Sequence, residues 1–510
     1  MRWLQLGLMV LWPLAATAAP VADEALPPPT MEERQAAFGM INEAMSSGRL
    51  AQAADLLVEL SGDETQAVFR AEAFARLAVV LGRLELPYGS LLAYEKALRA
   101  DPVAVGSEVS KALDLGEQIG DEAVLEPVFA ENLGIAADEV ARSRMAYLAA
   151  RENHRRENYG LASAMLMMVK PIHPDYPDAQ ALQGVVKSMQ GKYNEAIIPL
   201  QIALATGAKA NRGSRFESTV HLNIARAYFA AENFVGAVEY YAKIPRKDPK
   251  WLVAQFERSW AHFRVQDMSG TLAQLHNHES PFFDDLYFPE GSLLRVYSLF
   301  LLCKFPDASK QIEAFQSRYR PQHSRLMEVA AMRERDLFDA VRASIDSGKT
   351  DLPASIMAHF SHEDRLADSL TAIRNAEDEL ARLRNVAVNP FAGLITQWVE
   401  ARRAALIDAE GARISKRVRR MEQELNQMLA DSDISKLDLL QMETRLYERA
   451  SIIGELPEGK RRVKRRVRSK ADQRMWPWQG EYWADEVGYY RIDTKPECPD
   501  GMQAGGGTGG

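Results

Sequence analysis

Small residues recur at a regular interval through the first two thirds of this chain of 510 residues. Over residues 31–320, apolar residues follow helical spacing and are interrupted by short turns rich in Gly, Asn, Asp or Pro. Four copies have an aromatic residue after the turn, a small residue three positions later and a large apolar or aromatic residue four beyond that, as in Tyr193, Ala196 and Leu200, and four weaker copies keep the small residue. The small residues lie 33 to 41 positions apart, and they are Ala53, Ser90, Ala123, Ala162, Ala196, Ala237, Thr271 and Ala308. This period predicts an array of paired helices.

The pattern resembles the tetratricopeptide repeat (TPR), a helix–turn–helix unit of about 34 residues with a small residue where its helices cross. The match is fullest in one copy, which places Phe74, Leu77, Ala78 and Leu81 in its first helix, Tyr94 and Ala97 in its second, and Pro102 after it. Ser90 and Thr271 stand where the repeat has alanine, and the copies near Ala123 and Thr271 are the least regular. The resemblance implies an all-α fold with a TPR-like α-solenoid over residues 31–320.

The first helices of stacked repeats line a concave groove. We expect the later repeats to turn Phe229, Trp260, Phe263, Tyr297 and Phe300 toward this groove. The earlier repeats offer Tyr147, Arg151, His154 and Arg226. Such a groove would hold a peptide or helix by apolar anchors, while its cations orient acidic groups. The alternative is that these aromatic residues simply pack between helices.

Residues 321–455 follow a different helical pattern. Asn389-Pro390 should end one helix, a second should run from Phe391 to about Leu429, and a third should begin after Asp431-Ser432-Asp433, capped by Ser432 or Asp433. The four-three spacing typical of a coiled-coil-like seam is carried by Ile414, Val418, Met421, Leu425 and Met428. We prefer a long helical hairpin within one chain, with dimerisation through the seam as the alternative.

The N-terminus has the pattern of an export signal. Arg2 precedes a short apolar stretch, and Ala16-Thr17-Ala18 fits the small-x-small cleavage rule. We therefore expect residues 1–18 to be a cleaved signal peptide, residues 19–30 an extended linker, and the mature protein to reside in a bacterial periplasm. An uncleaved N-terminal anchor is the alternative.

The C-terminus has three compositional segments. Segment 456–475 contains eight basic residues among the eleven at 460–470, which fits contact with peptidoglycan, an anionic membrane surface or an acidic partner, or else a solvated linker. Segment 476–498 is an aromatic box, and segment 499–510 is a flexible Gly-rich tail. The box carries Trp476, Trp478, Tyr482, Trp483, Tyr489 and Tyr490. Because an isolated flexible tail rarely holds so much apolar surface, we expect the box to dock on this chain, even in its groove, or on a partner.

The array, the charged helical region and the run Trp476-Pro477-Trp478 through Gly488-Tyr489-Tyr490 together resemble TPR components of the myxobacterial adventurous gliding-motility envelope machinery. The stretch from Trp260 to Leu275, followed by Ser280-Pro281-Phe282-Phe283, is also similar to a unit in those proteins. The resemblance implies a non-enzymatic periplasmic scaffold whose partners are other envelope proteins, some of which would link it to the outer membrane. A peptidoglycan-binding or envelope-remodelling protein that uses the aromatic box is the alternative.

Composition narrows the remaining function classes. A net charge of −8 argues against nucleic acid, and two cysteines allow at most one disulfide, leaving open whether Cys303 and Cys498 pair. No catalytic motif or cofactor fingerprint is present, so we expect no enzyme activity and no cofactor. His276-Asn277-His278 with Asp284 and Asp285 could hold a metal, but solvated turn residues are the preferred interpretation, so no metal site is expected. The sequence leaves the oligomeric state open.

Overall fold

The computed structural model describes residues 30–132, 134–135, 137–283, 287–349, 352–361, 363–386, 388–453, 480 and 482–498. The predicted signal peptide, linker residues 19–29, the basic segment 456–475, Trp476, Trp478 and the Gly-rich tail lie outside these residues. Every regular element within them is helical, which confirms the all-α prediction. None of these helices combines the length and the apolar character needed to cross a membrane.

In the described part of the chain, eight pairs of helices follow one another, and a short turn joins the two helices of each pair. The pairs are α1 (Met31–Ser46) with α2 (Leu50–Gly62), α3 (Arg70–Arg83) with α4 (Pro87–Ala100), α5 (Val109–Ile119) with α6 (Glu126–Glu131), α7 (Glu139–Arg155) with α8 (Tyr159–Leu166), α9 (Tyr176–Met189) with α10 (Tyr193–Lys209), α11 (Ser214–Ala230) with α12 (Phe234–Tyr241), α13 (Trp251–Arg264) with α14 (Met268–His278), and α15 (Pro289–Leu301) with α16 (Phe305–Ala330). Four further helices are α17 (Glu334–Ser347), α18 (Ala354–Phe360), α19 (Asp364–Asn385) and α20 (Pro390–Ile453).

The turn inside each pair has the same backbone geometry. A residue with positive φ follows the first helix, and the next N–H donates to the carbonyl five residues earlier at 2.8 to 3.0 Å. This Schellman arrangement satisfies carbonyls that the helix end leaves unpaired. In seven pairs the positive-φ residue lies five positions before the small residue, at Gly48, Glu85, Glu157, Gly191, Glu232, Gln266 and Cys303. The third pair instead has Gly120, three positions before Ala123.

The small residues lie where the paired helices meet. Seven of the eight are at most 2% exposed, and only Ala123, in a 3-10 turn before the short α6, is partly exposed. The hydroxyls of Ser90 and Thr271 donate to the carbonyls of Ala78 and Asp267 at 2.7 and 2.9 Å. A serine or threonine therefore fits this position without leaving a buried donor unpaired.

The predicted helix break at Asp431-Ser432-Asp433 is wrong, because α20 runs unbroken from Pro390 to Ile453. Ser432 is fully buried and donates its hydroxyl to Leu429 O at 2.6 Å. Gln316 on α16 donates to Ser432 Oγ and to Asp433 Oδ1 at 3.0 and 2.8 Å. Both expected caps are thus partnered across the helix interface, so neither ends the helix. The predicted break at Asn389-Pro390 is confirmed, since α19 ends at Asn385 and α20 begins at Pro390.

The predicted seam is covered within the chain. Ile414, Val418, Met421 and Leu425 are at most 2% exposed and belong to a cluster with residues of α16, α17 and α19. Helices α19 and α20 also pack against each other, in the manner of the preferred helical hairpin. These seam residues are therefore already partnered without a second copy of the chain.

Helix α20 contacts both ends of the array. Near its start, Phe391 N donates to Asp55 Oδ1 on α2 at 2.8 Å, and Trp398 lies edge-on to Phe74 on α3 at 5.9 Å. Farther along it packs on α15, α16 and α17, and Leu439 joins an apolar cluster built by α14, α15 and α16. The first and last pairs are consequently tied to one continuous helix.

A buried carboxylate joins α19 to the N-terminus of α4. Glu379 is fully buried and accepts hydrogen bonds from the N–H groups of Tyr88 and Gly89 at 2.5 and 2.6 Å. These N–H groups have no partner inside α4, because they lie in its first turn. Burial raises the pKa of Glu379 to about 7, although both hydrogen bonds act in the opposite direction.

We predict that Glu379 makes the fold less stable as pH rises. Its folded-state pKa lies above the ordinary value of 4.5, so the unfolded chain ionises first and stability is lost between pH 4.5 and about 7. Between pH 4.5 and pH 8, the free energy of unfolding in urea should fall by roughly 2–3 kcal/mol more for the wild type than for Glu379→Gln. The same change at exposed Glu59 controls for removing one carboxylate. An equal pH response in wild type and Glu379→Gln would contradict the assignment.

We further predict that glycine stabilises the turn at Glu85. Glu85 is exposed with φ 60°, a conformation that costs a non-glycine residue about 1–2 kcal/mol. After subtracting glycine's own entropy loss, Glu85→Gly should raise the free energy of local opening of α3 and α4 by about 0.5–1 kcal/mol, measured by hydrogen exchange. The control Glu59→Gly lies inside helix α2 and should lower the free energy of local opening of α2 by about 1 kcal/mol. A loss at both positions would be inconsistent with the turn geometry.

Candidate partner-binding surfaces

The predicted groove cation Arg151 is held by carboxylates of its own chain. Its Nε lies 2.9 Å from Glu126 Oε1, and Glu126 is fully buried and also pairs with Arg155. The neighbouring ring of His154 lies 5.9 Å from Tyr159, and burial, followed by the nearby charge of Arg155, lowers the pKa of His154. To bind an acidic group of a partner, Arg151 would therefore first have to give up its pairing with Glu126.

Tyr147 is the aromatic residue among the groove candidates of the earlier repeats. It is partly buried against the cluster formed by the first five pairs, and the Arg151 guanidinium lies 5.8 Å from its ring. Burial raises its pKa to about 12, so its hydroxyl stays protonated at neutral pH. Tyr147 can thus offer one neutral hydroxyl to a partner.

Arg226, the candidate cation on α11, is more accessible than Arg151. Its side chain is 50% exposed and forms a bidentate pair with Glu257, with Nε–Oε2 at 2.9 Å. Trp260 and Phe263 lie edge-on at 5.6 Å and are both half-buried. These side chains are close to the surface of α11 and α13, so their predicted role in a partner-binding groove stays open.

The other later aromatic residues pack within the array or under α20. Phe229 lies 5.2 Å from Phe234 of its own pair, and Phe300 lies 5.5 Å from Phe305 in the same way. Tyr297 is half-buried in the cluster that includes the α20 seam, and burial, then the nearby Asp431 carboxylate, raises its pKa. Packing between helices, the alternative interpretation, describes these contacts.

The aromatic box docks on its own chain. Gly488 N donates to Asn277 Oδ1 on α14 at 2.6 Å, and Val487 is 1% exposed in a cluster with Trp251. Gly488 has φ 94°, and a Cβ there would lie 2.9 Å from Trp251 Cζ2. A glycine is required at this point because the backbone is left-handed and the indole leaves no room.

His276 receives two of the box's tyrosines. Its ring lies 5.1 Å from that of Tyr482 and 4.6 Å from that of Tyr490. His278, two residues on, donates through Nε2 to Leu252 O at 3.0 Å, and burial lowers its pKa to about 4. Asp284 and Asp285 lie outside the described residues, within which no group of three or more His, Cys, Asp or Glu side chains could hold a metal ion.

The end of the box is fixed to the last two pairs. Thr494 N donates to Ser269 Oγ at 3.3 Å, and Glu497 N donates to Leu302 O at 2.8 Å. Lys304 pairs with Glu497, and Cys303 and Cys498 form a disulfide with their Cα atoms 5.0 Å apart. The two open questions, whether the cysteines pair and whether the box docks on its own chain, are both answered by these contacts.

Of the four aromatic side chains that the structure describes in the box, two remain in solvent. Trp483 is 59% exposed and Tyr489 is 75% exposed, whereas Tyr482 and Tyr490 are half-buried. The box therefore divides into tyrosines that hold it to α14 and aromatic residues that face outward. The prediction that His276-Asn277-His278 are solvated turn residues is wrong, because all three lie in α14 and His276 and Asn277 are buried under the docked box.

We predict that Gly488→Ala loosens the docked box. The left-handed backbone alone should cost alanine about 1–2 kcal/mol, which corresponds to roughly tenfold faster local opening, and contact with Trp251 should add to it. Hydrogen exchange of peptides covering 482–494 would measure this. Gly480→Ala is the matched control, because φ is 107° there but no atom lies within 4 Å of the added Cβ. Unchanged exchange in Gly488→Ala would contradict the docked arrangement.

No protein-family model matches the chain, and a search of curated proteins likewise gave no match. The resemblances of the repeat and of the aromatic box to known proteins consequently remain expectations. Function must be argued from the contacts and exposure of this chain's own side chains.

Proposed function

We propose that this chain is a non-enzymatic scaffold that binds protein partners through its paired helices and its C-terminal box. In this proposal the eight pairs are TPR-like units of an α-solenoid. The recurring Schellman turn and the buried small residue five positions later support that assignment, because stacked units need the same close crossing in each copy.

The observation that carries the proposal is the exposure of Trp483 and Tyr489 on a segment held in its middle and at its C-terminal end. Gly488 is bound to Asn277 in the middle of this segment, and Cys498 is covalently bound to Cys303 at its end. Exposed aromatic side chains on an ordered backbone lose little further entropy on binding, which is typical of interface anchors. The box would therefore present two pre-positioned anchors to a partner.

The remaining parts of the proposal rest on the sequence. Export by residues 1–18 would place the scaffold in a bacterial periplasm, where the disulfide could form. The likeness of the box to gliding-motility components makes other envelope proteins, linked in turn to the outer membrane, the proposed partners. Segment 460–470 would add contact with an anionic membrane surface.

Peptidoglycan binding is the second candidate, and the same exposed pair favours it. Aromatic faces stack on the apolar faces of sugar rings as well as on protein side chains, so Trp483 and Tyr489 could contact glycan strands. The two candidate functions differ in what Trp483 and Tyr489 bind, which is protein in the first and peptidoglycan in the second.

The test compares three forms of the chain expressed in cells of its source. These are the wild type, Trp483→Ala/Tyr489→Ala, and a control with two exposed apolar residues removed from α10, Tyr193→Ala/Ile198→Ala. After crosslinking in intact cells, mass spectrometry identifies the attached proteins. We expect the proteins that crosslink to the wild type and to the control to be recovered in at least tenfold lower amounts with the box variant.

A parallel sedimentation with purified peptidoglycan separates the candidates. Retention that is lost only in the box variant, with its protein partners unchanged, would favour the second candidate. A box variant that keeps every protein partner and all peptidoglycan binding would refute both roles for the exposed pair.

A further inference from the structure

A cleft separates the paired helices from the α18–α20 region. It has a volume of about 680 Å³ and is bounded by Arg215 at the start of α11, by Lys250 and Val253 at α13, and by residues of α18, α19 and α20. A second cavity of about 520 Å³ shares Pro249, Val253 and His359 with it. The two spaces therefore adjoin, and each has the size of an ordinary ligand site.

The larger space is strongly basic. Seven Lys and Arg side chains line it against two carboxylates, those of Glu363 and Asp364. Arg215 pairs with Asp364 at 2.5 Å, and Arg413 pairs with Glu363 at 2.7 Å. Once both acids are paired in this way, an excess of positive charge remains in the cleft.

Four of these cations have no ion-pair partner in the described part of the chain, and they are Lys250, Lys416, Arg417 and Arg420. Three of the four project from consecutive turns of α20 between residues 416 and 420. Arg413 Nη2, on the same helix, is buried and lacks a hydrogen-bond acceptor among the described residues. Buried donors are normally satisfied, so an oxygen of a bound anion would supply the missing acceptor.

Apolar side chains dominate the lining of the smaller space, and its charged lining residues are Arg246 and Asp248. Its lining includes Trp251, Phe282, Phe283 and Phe288, together with Val487 of the docked box. The Tyr287 hydroxyl already donates to Met421 O at 3.4 Å, and burial lowers the pKa of His359 to about 4, so this imidazole is neutral at pH 7. A peptide backbone or a sugar would leave its polar groups unpaired here, whereas a hydrocarbon chain would not.

We propose that the two spaces form one site for a single-chain anionic amphiphile. Its hydrocarbon chain would occupy the cavity beside Trp251 and Phe288, and its carboxylate or phosphate head would lie among Lys250, Lys416 and Arg417. The head could belong to a free fatty acid or to a lysophospholipid, since both carry the same chemistry. The tests below leave Trp483 and Tyr489 unchanged, so the ligand proposal can fail while the scaffold proposal stands, and the reverse.

The test measures binding to the full chain, freed of bound lipid, by calorimetry below the micelle concentration of each probe. The probes are oleate, oleoyl lysophosphatidic acid, uncharged oleyl alcohol, and inorganic phosphate. We expect oleate or oleoyl lysophosphatidic acid to bind at least tenfold more tightly than oleyl alcohol and phosphate. The stronger of the two charged probes identifies the source of the head group. Equal binding of oleyl alcohol, or full affinity for phosphate alone, would overturn the proposal.

Charge variants on α20 provide the matched comparison. Lys416→Gln/Arg417→Gln should weaken binding of the charged amphiphile about tenfold, because both cations line the cleft where the head group would lie. Arg419→Gln/Lys436→Gln removes two charges from the same helix outside the cleft and should leave affinity unchanged. Val253→Phe, which narrows the junction of the two spaces, should abolish oleate binding while the thermal midpoint stays within a few degrees. Equal affinity in the two charge variants would show adsorption elsewhere and refute the site.

Discussion

One helix of 64 residues has to bury apolar side chains along most of its length, and this requirement organises the described chain. At about 1.5 Å per residue α20 extends roughly 96 Å, which exceeds the span of any single pair of helices. Ile395 and Val399 belong to the cluster of the first pairs, Ile414 and Leu425 to that of α16 and α17, and Leu439 to that of α14–α16. Because a continuous helix resists bending, its contacts at both ends hold the first and last pairs at a set separation.

Buried polar groups set the register of this helix. Arg402 donates to both carboxylate oxygens of Asp121 at 2.6 and 2.8 Å, and the same carboxylate accepts from the Tyr88 hydroxyl at 2.5 Å. Glu379 adds its bonds to the first turn of α4. A buried charge whose partner is displaced costs several kcal/mol, so a shift of α19 or α20 by one turn would be strongly disfavoured. Apolar packing alone would discriminate less sharply between neighbouring registers.

The sequence predicted features that depend on local chemistry and missed those that depend on distant partners. The small residues were found because helix crossing requires them, and the break at Asn389-Pro390 because proline cannot continue a helix. Ser432 and Asp433 have the residue types of helix caps, yet both accept hydrogen bonds from the Gln316 side chain. Gln316 is 116 residues away from Ser432 in the chain. The docking of Gly488 on Asn277 crosses 211 residues, and no local pattern announces such a pair. The predicted groove residues all lie in the first helix of a pair, but Tyr297 is packed among side chains of a helix that the repeat pattern does not include.

The docked box and the apolar cavity beside the cleft share a wall, and this links the box to the proposed ligand site. Trp251 stands at the start of α13, where its indole contacts Gly488 on one side and lines the apolar cavity on the other. Val487 also lines that cavity, so the box completes it. The Cys303–Cys498 disulfide lies ten residues beyond Gly488, at a turn whose left-handed position elsewhere carries glycine, glutamate or glutamine. The turn geometry therefore does not require cysteine at position 303. The cysteine is needed for the covalent bond to the box, and this bond helps to keep Val487 in the wall of the cavity.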